Sequence, residues 1–240
     1  MTSVIQNHLK EIVEGRGDFF AHFRGCKASV GENMRLVMRR NVGICADIFI
    51  EEKIAFDLVI LADSGYPGKF CVNFRLCEGS QLKCLVFSEF CKKLEISISS
   101  TMNGKNSKSE IGSFFIGKNH SKQIFSVSQT HNAAGSTSKV VSKAVLDDCS
   151  IHEFRGNVNI SEAAENSDAH QKNENILLSN QAFVKSSPTL NILNNNVKCS
   201  HGATVGSVDA STIFYMRSRG IPMDTCKQLI TDGMLLSMLG

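Results

Sequence analysis

The chain has 240 residues, 42% hydrophobic and 20% charged, enough apolar content for a core and too little charge for a disordered chain. Its 26 basic and 23 acidic residues give a net charge of +3, with Arg39-Arg40, Lys92-Lys93 and the Lys105/Lys108 pair the tightest basic groups. Such scattered charge excludes the basic stripe of a nucleic-acid binder, and the absence of an 18-residue apolar run excludes a membrane-spanning helix.

Val4, Ile5, Leu9, Ile12 and Val13 recur at helical spacing, which predicts an N-terminal helical segment over 1–20. This stretch has neither the continuous apolar core of a secretory signal nor, with Glu11, Glu14 and Asp18, the acid-poor make-up of a transit peptide. A reducing cytoplasm is the expected compartment. The cysteines agree: nine of them, an odd number, with no C-x-x-C spacing, predict free thiols rather than a disulfide framework. Most sit among apolar residues, as in LKCLVF and KFCVNF, and are expected to be buried and inert.

From 21 to 206 the chain reads as strands. FDLVILAD, KFCVNFRL, KCLVFSEF, LEISISST, KQIFSVSQT and SIHEFRGNVNI are β-branched and aromatic, and several alternate strictly, as in Leu94, Ile96 and Ile98. Turns rich in Asn, Gly and Ser separate them (TMNGKNSKSE, NAAGSTS), and strand centres recur every ~12 to 16 residues from Leu94 onward. No segment between Lys69 and Val205 has a convincing helical period. A sandwich, a barrel and a solenoid all accommodate this pattern, and corners of Asn and small polar residues favour a parallel β-helix.

The period changes over 207–240, where a helical hairpin is predicted. Asp209 is its N-cap, Ile213, Phe214 and Met216 give the first helix an apolar face, and Gly220 and Pro222 form the turn. Leu229, Ile230, Met234 and Leu235 mark the stripe of the second helix. So large an apolar face must dock on the strand region or on another chain.

Sequence chemistry alone is sparse. No phosphate-binding loop, G-x-S-x-G elbow or H-E-x-x-H occurs, and the acidic pairs Glu51-Glu52 and Asp147-Asp148 read as solvated loop residues. His131, His152, His170 and His201 lie in the later strands with Cys149 and Cys199, and a solenoid can stack such residues into a ligand cluster for zinc, copper(I) or iron–sulfur chemistry. Cys199 and His201 stand one residue apart in VKCSHGATVG, so on a strand they share a face.

Cys199 to Thr204, Phe214-Tyr215 and Arg217 to Ile221 together resemble the C-terminal signature of the SufB/SufD family, the scaffold subunits of SUF iron–sulfur cluster assembly, and its SufD branch most. Upstream, Phe154, Gly156, Asp168, Ala169, Gln171, Asn175 and Leu177 to Ser179 match the family stretch, as do His131, Ser138 and Lys143. The resemblance is specific over 130–230 and thin before residue 100. It implies a mainly β fold, a right-handed parallel β-helix with a short N-terminal helix and a C-terminal helical hairpin. It also implies a non-enzymatic scaffold that pairs with a SufB-like subunit or with itself and docks a SufC-type ATPase. His201, with Cys199 second to it, becomes the candidate ligand for a transient iron–sulfur cluster or iron at the subunit interface, with no cofactor held stably. Phe214, Tyr215, Arg217 and Arg219 become the ATPase-docking candidates.

Three departures from the family stand out: a shorter N-terminal helical region, an end soon after the hairpin, and Asn194-Asn195-Asn196 where relatives often carry an acidic pair. The alternative of a SufB-like main scaffold is disfavoured because SNQAFVKSSPTLNIL lacks the expected cysteine. A polysaccharide-acting β-helix enzyme is the distant alternative.

Overall fold

The computed structural model describes residues 24–39, 44–62, 68–89 and 92–239; the helix predicted over 1–20 lies outside them. The strands run β1 (Arg24–Val30), β2 (Met34–Arg39), β3 (Ile44–Ile50), β4 (Ala55–Ala62), β5 (Gly68–Leu76), β6 (Gln81–Glu89) and β7 (Lys93–Met102). They continue as β8 (Lys108–Gly117), β9 (Lys122–His131), β10 (Thr137–Leu146), β11 (Ile151–Ile160), β12 (Asp168–Leu177), β13 (Phe183–Ile192) and β14 (Lys198–Ser207).

Odd strands form one seven-stranded sheet and even strands another, all neighbours parallel and in chain order. The chain therefore alternates between two sheets, laying one strand in each per coil, which is a parallel β-helix. Lys93 lies beside Lys122 and Lys122 beside Ile151, so the coils here are of equal length, and half of one matches the strand spacing read from the sequence.

Alternation decides which side chains enter the space between the sheets. Leu94, Ile96, Ile98 and Met102 point inward from β7, and Phe125 and Val127 from β9, while Ser97, Ser99 and Ser126 sit half-buried outside. Phe125 and Phe154 stack along the axis at a centroid distance of 6.1 Å, and Phe115 meets Phe125 from the opposite sheet at 5.4 Å. Such rings supply the largest hydrophobic gain per residue.

Corners repeat as strictly as strands. Lys53, Gly79, Asn106, Gly135 and Asn166 all have φ between 56° and 70° and each stands two residues before an even strand. Gly79, Asn106, Gly135 and Asn166 each donate a backbone N–H to the following coil, to Lys105, Ala134, Glu165 and Asn196 carbonyls in turn. Glycine and asparagine occupy this left-handed site cheaply, which explains why turns of this composition punctuate the strands. Asn196 closes the series, donating its amide to Asn166 Oδ1 (3.0 Å) while its N–H meets Asn194 Oδ1 (2.8 Å). The asparagines here keep the hydrogen bonds of a coil corner without a charge.

The interior also holds polar residues. His131 is fully buried with Nδ1 2.8 Å from Ser136 Oγ and Nε2 2.9 Å from Ser138 Oγ. His152 is fully buried against Phe115, ring centroids 4.7 Å apart, and neither ring nitrogen has a protein partner. Burial pushes His131 down to about 4 and His152 to about 3. Both stay neutral in the fold, whereas in the unfolded chain they take up a proton near pH 6.5. The unfolded state then binds more protons below pH 6.5, so stability falls as pH drops from there toward the folded values. Between pH 7.5 and 5.5 the two sites together should cost about 3 kcal/mol, above the range where carboxylates titrate. Urea melts at the two pH values check this, and His152→Leu should remove about half of the loss.

Two helices follow, α1 (Ala210–Ser218) and α2 (Met223–Leu239). Asp209 caps α1, its carboxylate accepting from Ser211 N–H at 3.0 Å. Gly220, at φ 82°, ends it: Gly220 N–H donates to Arg217 and Ile221 N–H to Met216 carbonyls, the Schellman arrangement. Pro222 stands one residue ahead of α2 rather than inside it.

Of the two helices, α2 carries the buried side chains. Met234 and Leu235 bury against the outer face of the even sheet, joining a cluster with Val59, Leu61, Phe87, Phe114, Ile116 and Val145. Lys227 Nζ reaches both Asp147 oxygens at 2.7 Å, and Lys143 Nζ donates to Ser237 Oγ at 2.7 Å. This corrects the expected stripe: Leu229 is exposed, and Cys226 and Thr231 are buried in its stead. Of the expected apolar face of α1, Ile213 and Met216 are half-buried while Phe214 is 74% exposed.

Candidate functional site: the open end of the coil stack

β13 and β14 end the two sheets, each paired on one side only, with β11 and β12. Every earlier coil is covered by the next; among the described residues nothing covers this one. Phe183, Ile192, Leu193 and Val205 are exposed here, from 41% to 69%. Pro188, lacking an N–H, sits in β13, a place a proline can take only in an edge strand.

His201 and Cys199 lie on β14, beside Gln171 and Ala169 of β12, whose side chains are both buried in the interior row. Register partners in parallel strands face the same way, so both face inward, into the end of the stack rather than onto its side. The last strand leaves His201 exposed. Cys199 is half-buried in a small cluster with Val158, Ile160, Ala164, Ala169, Leu190 and Val197. Burial, and then Asp168, push its thiol up, so it stays protonated and packs.

The outer side of the same strands carries a different set. His170 Nδ1 lies 2.6 Å from Ser200 Oγ and its Nε2 2.7 Å from Asp168 Oδ1, so both nitrogens are committed on the face opposite His201. The expected stacking of four histidines is therefore corrected. His131 and His152 are interior but at opposite ends of neighbouring strands, His170 is outside, and His201 is at the end. Among the described residues no three His, Cys, Asp or Glu side chains converge on a metal-sized space. Any cluster held at His201 needs ligands from elsewhere.

Phe214, Tyr215 and Arg217 lie on α1 and Arg219 caps its C-terminus, all exposed. The Arg219 guanidinium stands over the Tyr215 ring at 5.2 Å, a contact that orders both side chains.

A family model for the SufBD core domain of SUF-system FeS cluster assembly matches residues 71–234. The chain belongs to the SufBD family. It is SufD-like: the iron–sulfur cluster assembly protein SufD of Escherichia coli K12 is 35% identical over 132 residues, 55% of this chain and 31% of that protein. A SufBD family protein of Synechocystis is 37% identical over 112 residues, 44% of this chain and 24% of its own length. The chloroplastic protein ABCI7 of Arabidopsis thaliana matches at 35% over 77 residues, 32% of this chain and 16% of its own length. The matched stretches thus span a third or less of these relatives. The family match starts at Cys71, on β5, so the SufBD core reaches further upstream than the motifs alone reveal.

Proposed function

We propose that this SufBD-family chain is a scaffold subunit of SUF iron–sulfur cluster assembly with no turnover of its own. It pairs with a SufB-like subunit, or with a second copy of itself, across the open coil end, and docks a SufC-type ATPase on α1. The observation that carries this reading is His201, exposed on the interior-facing row of a terminal strand paired on one side only. An open strand edge with exposed apolar residues is a template for another chain. A histidine there supplies a neutral nitrogen at the seam between two subunits, suited to iron or a nascent cluster handed on rather than stored.

Co-expression with the SufB-like and ATPase partners tests it. His201→Ala should fold and assemble normally, because the side chain packs against nothing that stabilises the stack, but lose most of the visible cluster absorbance. Cys199→Ala should keep most of it. Undiminished absorbance in His201→Ala would remove His201 from the ligand set.

A further inference from the structure

Seven described cysteines are free, and they are not uniformly buried as the sequence led us to expect. Cys84 and Cys226 are buried, with Cys84 pushed up to about 12 by burial, but Cys45 is exposed and Cys71 half-buried. Alternation explains the difference. In β3 Ala46 and Ile48 face the core, and in β5 Phe70 and Val72 do, which sends Cys45 and Cys71 to the outer face of the odd sheet.

These two thiols are direct register partners in adjacent strands. Neighbouring strands lie about 4.8 Å apart, which puts the two Cα atoms inside the separation that a disulfide spans. Burial, and then Cys45 beside it, push the Cys71 thiol up. The row continues through Ser97 and Ser126, so hydroxyl neighbours flank the pair on one side. We propose that Cys45 and Cys71 are a reversible dithiol–disulfide site on the side of the coil stack, open to low-molecular-weight disulfides.

With glutathione disulfide as oxidant the step balances. The Cys45 thiolate attacks one sulfur of the oxidant, forming a mixed disulfide and releasing one glutathione thiolate. Cys71 loses its proton to water and attacks Cys45 Sγ. The Cys45–Cys71 bond forms, the second glutathione leaves, and both leaving thiolates take up protons. Two protein thiols are oxidised and one glutathione disulfide becomes two glutathione thiols. Exposure fixes the order of events: Cys45 meets the oxidant first. Cys71 is held as a thiol by its burial and by Cys45 beside it, and is freed of the second influence once Cys45 is capped.

The intact chain, incubated folded with glutathione disulfide at pH 8 and analysed by peptide mass spectrometry, tests the site. The expected product is a Cys45–Cys71 linked peptide pair, two hydrogens lighter than the free thiols and restored by dithiothreitol. Wild type should accumulate no glutathione adduct at Cys45. Cys71→Ser, which lacks the resolving thiol, should accumulate that adduct nearly stoichiometrically. A lasting Cys45 adduct in wild type, or linkage of either residue to another cysteine or another chain, would overturn the proposal.

Discussion

Gly104→Ala should leave the chain unable to hold its coil stack. A Cβ built on Gly104 would lie 1.9 Å from Glu78 N and 2.1 Å from the Cys77 carbonyl carbon, both backbone atoms of the preceding coil. No rotamer change relieves a clash with backbone. The two coils cannot separate either, because Asn103 and Gly104 N–H groups donate to Leu76 O at 3.0 Å and Gly79 N–H donates to Lys105 O at 2.9 Å. Relief requires breaking that corner, so the loss should exceed about 4 kcal/mol, a large part of the stability of an ordinary domain. Gly202→Ala is the control: its Cβ would meet nothing within 4 Å on the exposed end strand. Urea unfolding should give a near-wild-type midpoint for Gly202→Ala and little folded protein for Gly104→Ala. A Gly104→Ala chain within about 1 kcal/mol of wild type would mean that the coil corners are not closely stacked.

The second large effect concerns α1. Phe214→Ala combined with Tyr215→Ala should abolish retention of a SUF-type P-loop ATPase while leaving the unfolding midpoint unchanged. No residue of α1 is buried, so truncating these rings removes no internal packing. An exposed aromatic pair, with Arg219 over one ring, has the composition of an interface anchor. Truncating such an anchor commonly costs about 2 kcal/mol or more per residue. Two such losses correspond to roughly a thousandfold in Kd. Titration of the ATPase against the folded double variant reads this directly, and an unchanged Kd would move the docking site off α1. Arg217→Ala should act in the same direction with a smaller effect, since its charge lies at the exposed rim.

The strand region was legible because half-burial writes itself into alternation. Leu94, Ile96 and Ile98 separated by polar residues could hardly be anything else, and β7 has that burial pattern. β4 was harder. Its run from Val59 to Ala62 is apolar on both faces because Val59 and Leu61 join the cluster with Met234 and Leu235, at the far end of the chain. A local pattern shows that both faces are covered but not by what. The helix stripe held at Met234 and Leu235 and missed at Leu229 for a related reason: Cys226 and Thr231 are small, so periodicity weights Leu229 above them, although Leu229 points to solvent. At the site, the C-x-H spacing placed Cys199 and His201 on one face. Which face, and that it lies at an uncovered end, depends on the register with Ala169 and Gln171. The pairing of Cys45 with Cys71 joins one coil to the next and left no local trace at all.

The fastening of α2 has a mechanical side. Lys227 on Asp147 and Ser237 on Lys143 bolt the helix to β10 and the turn after it, while α1 runs between the end of β14 and the Gly220 turn. A push delivered to α1 therefore enters the molecule at two points, the even sheet's open edge through β14 and, through α2, two strands further in. It loads the end strand and the coils behind it together, so the end face is pulled at β14 while α2 holds β10.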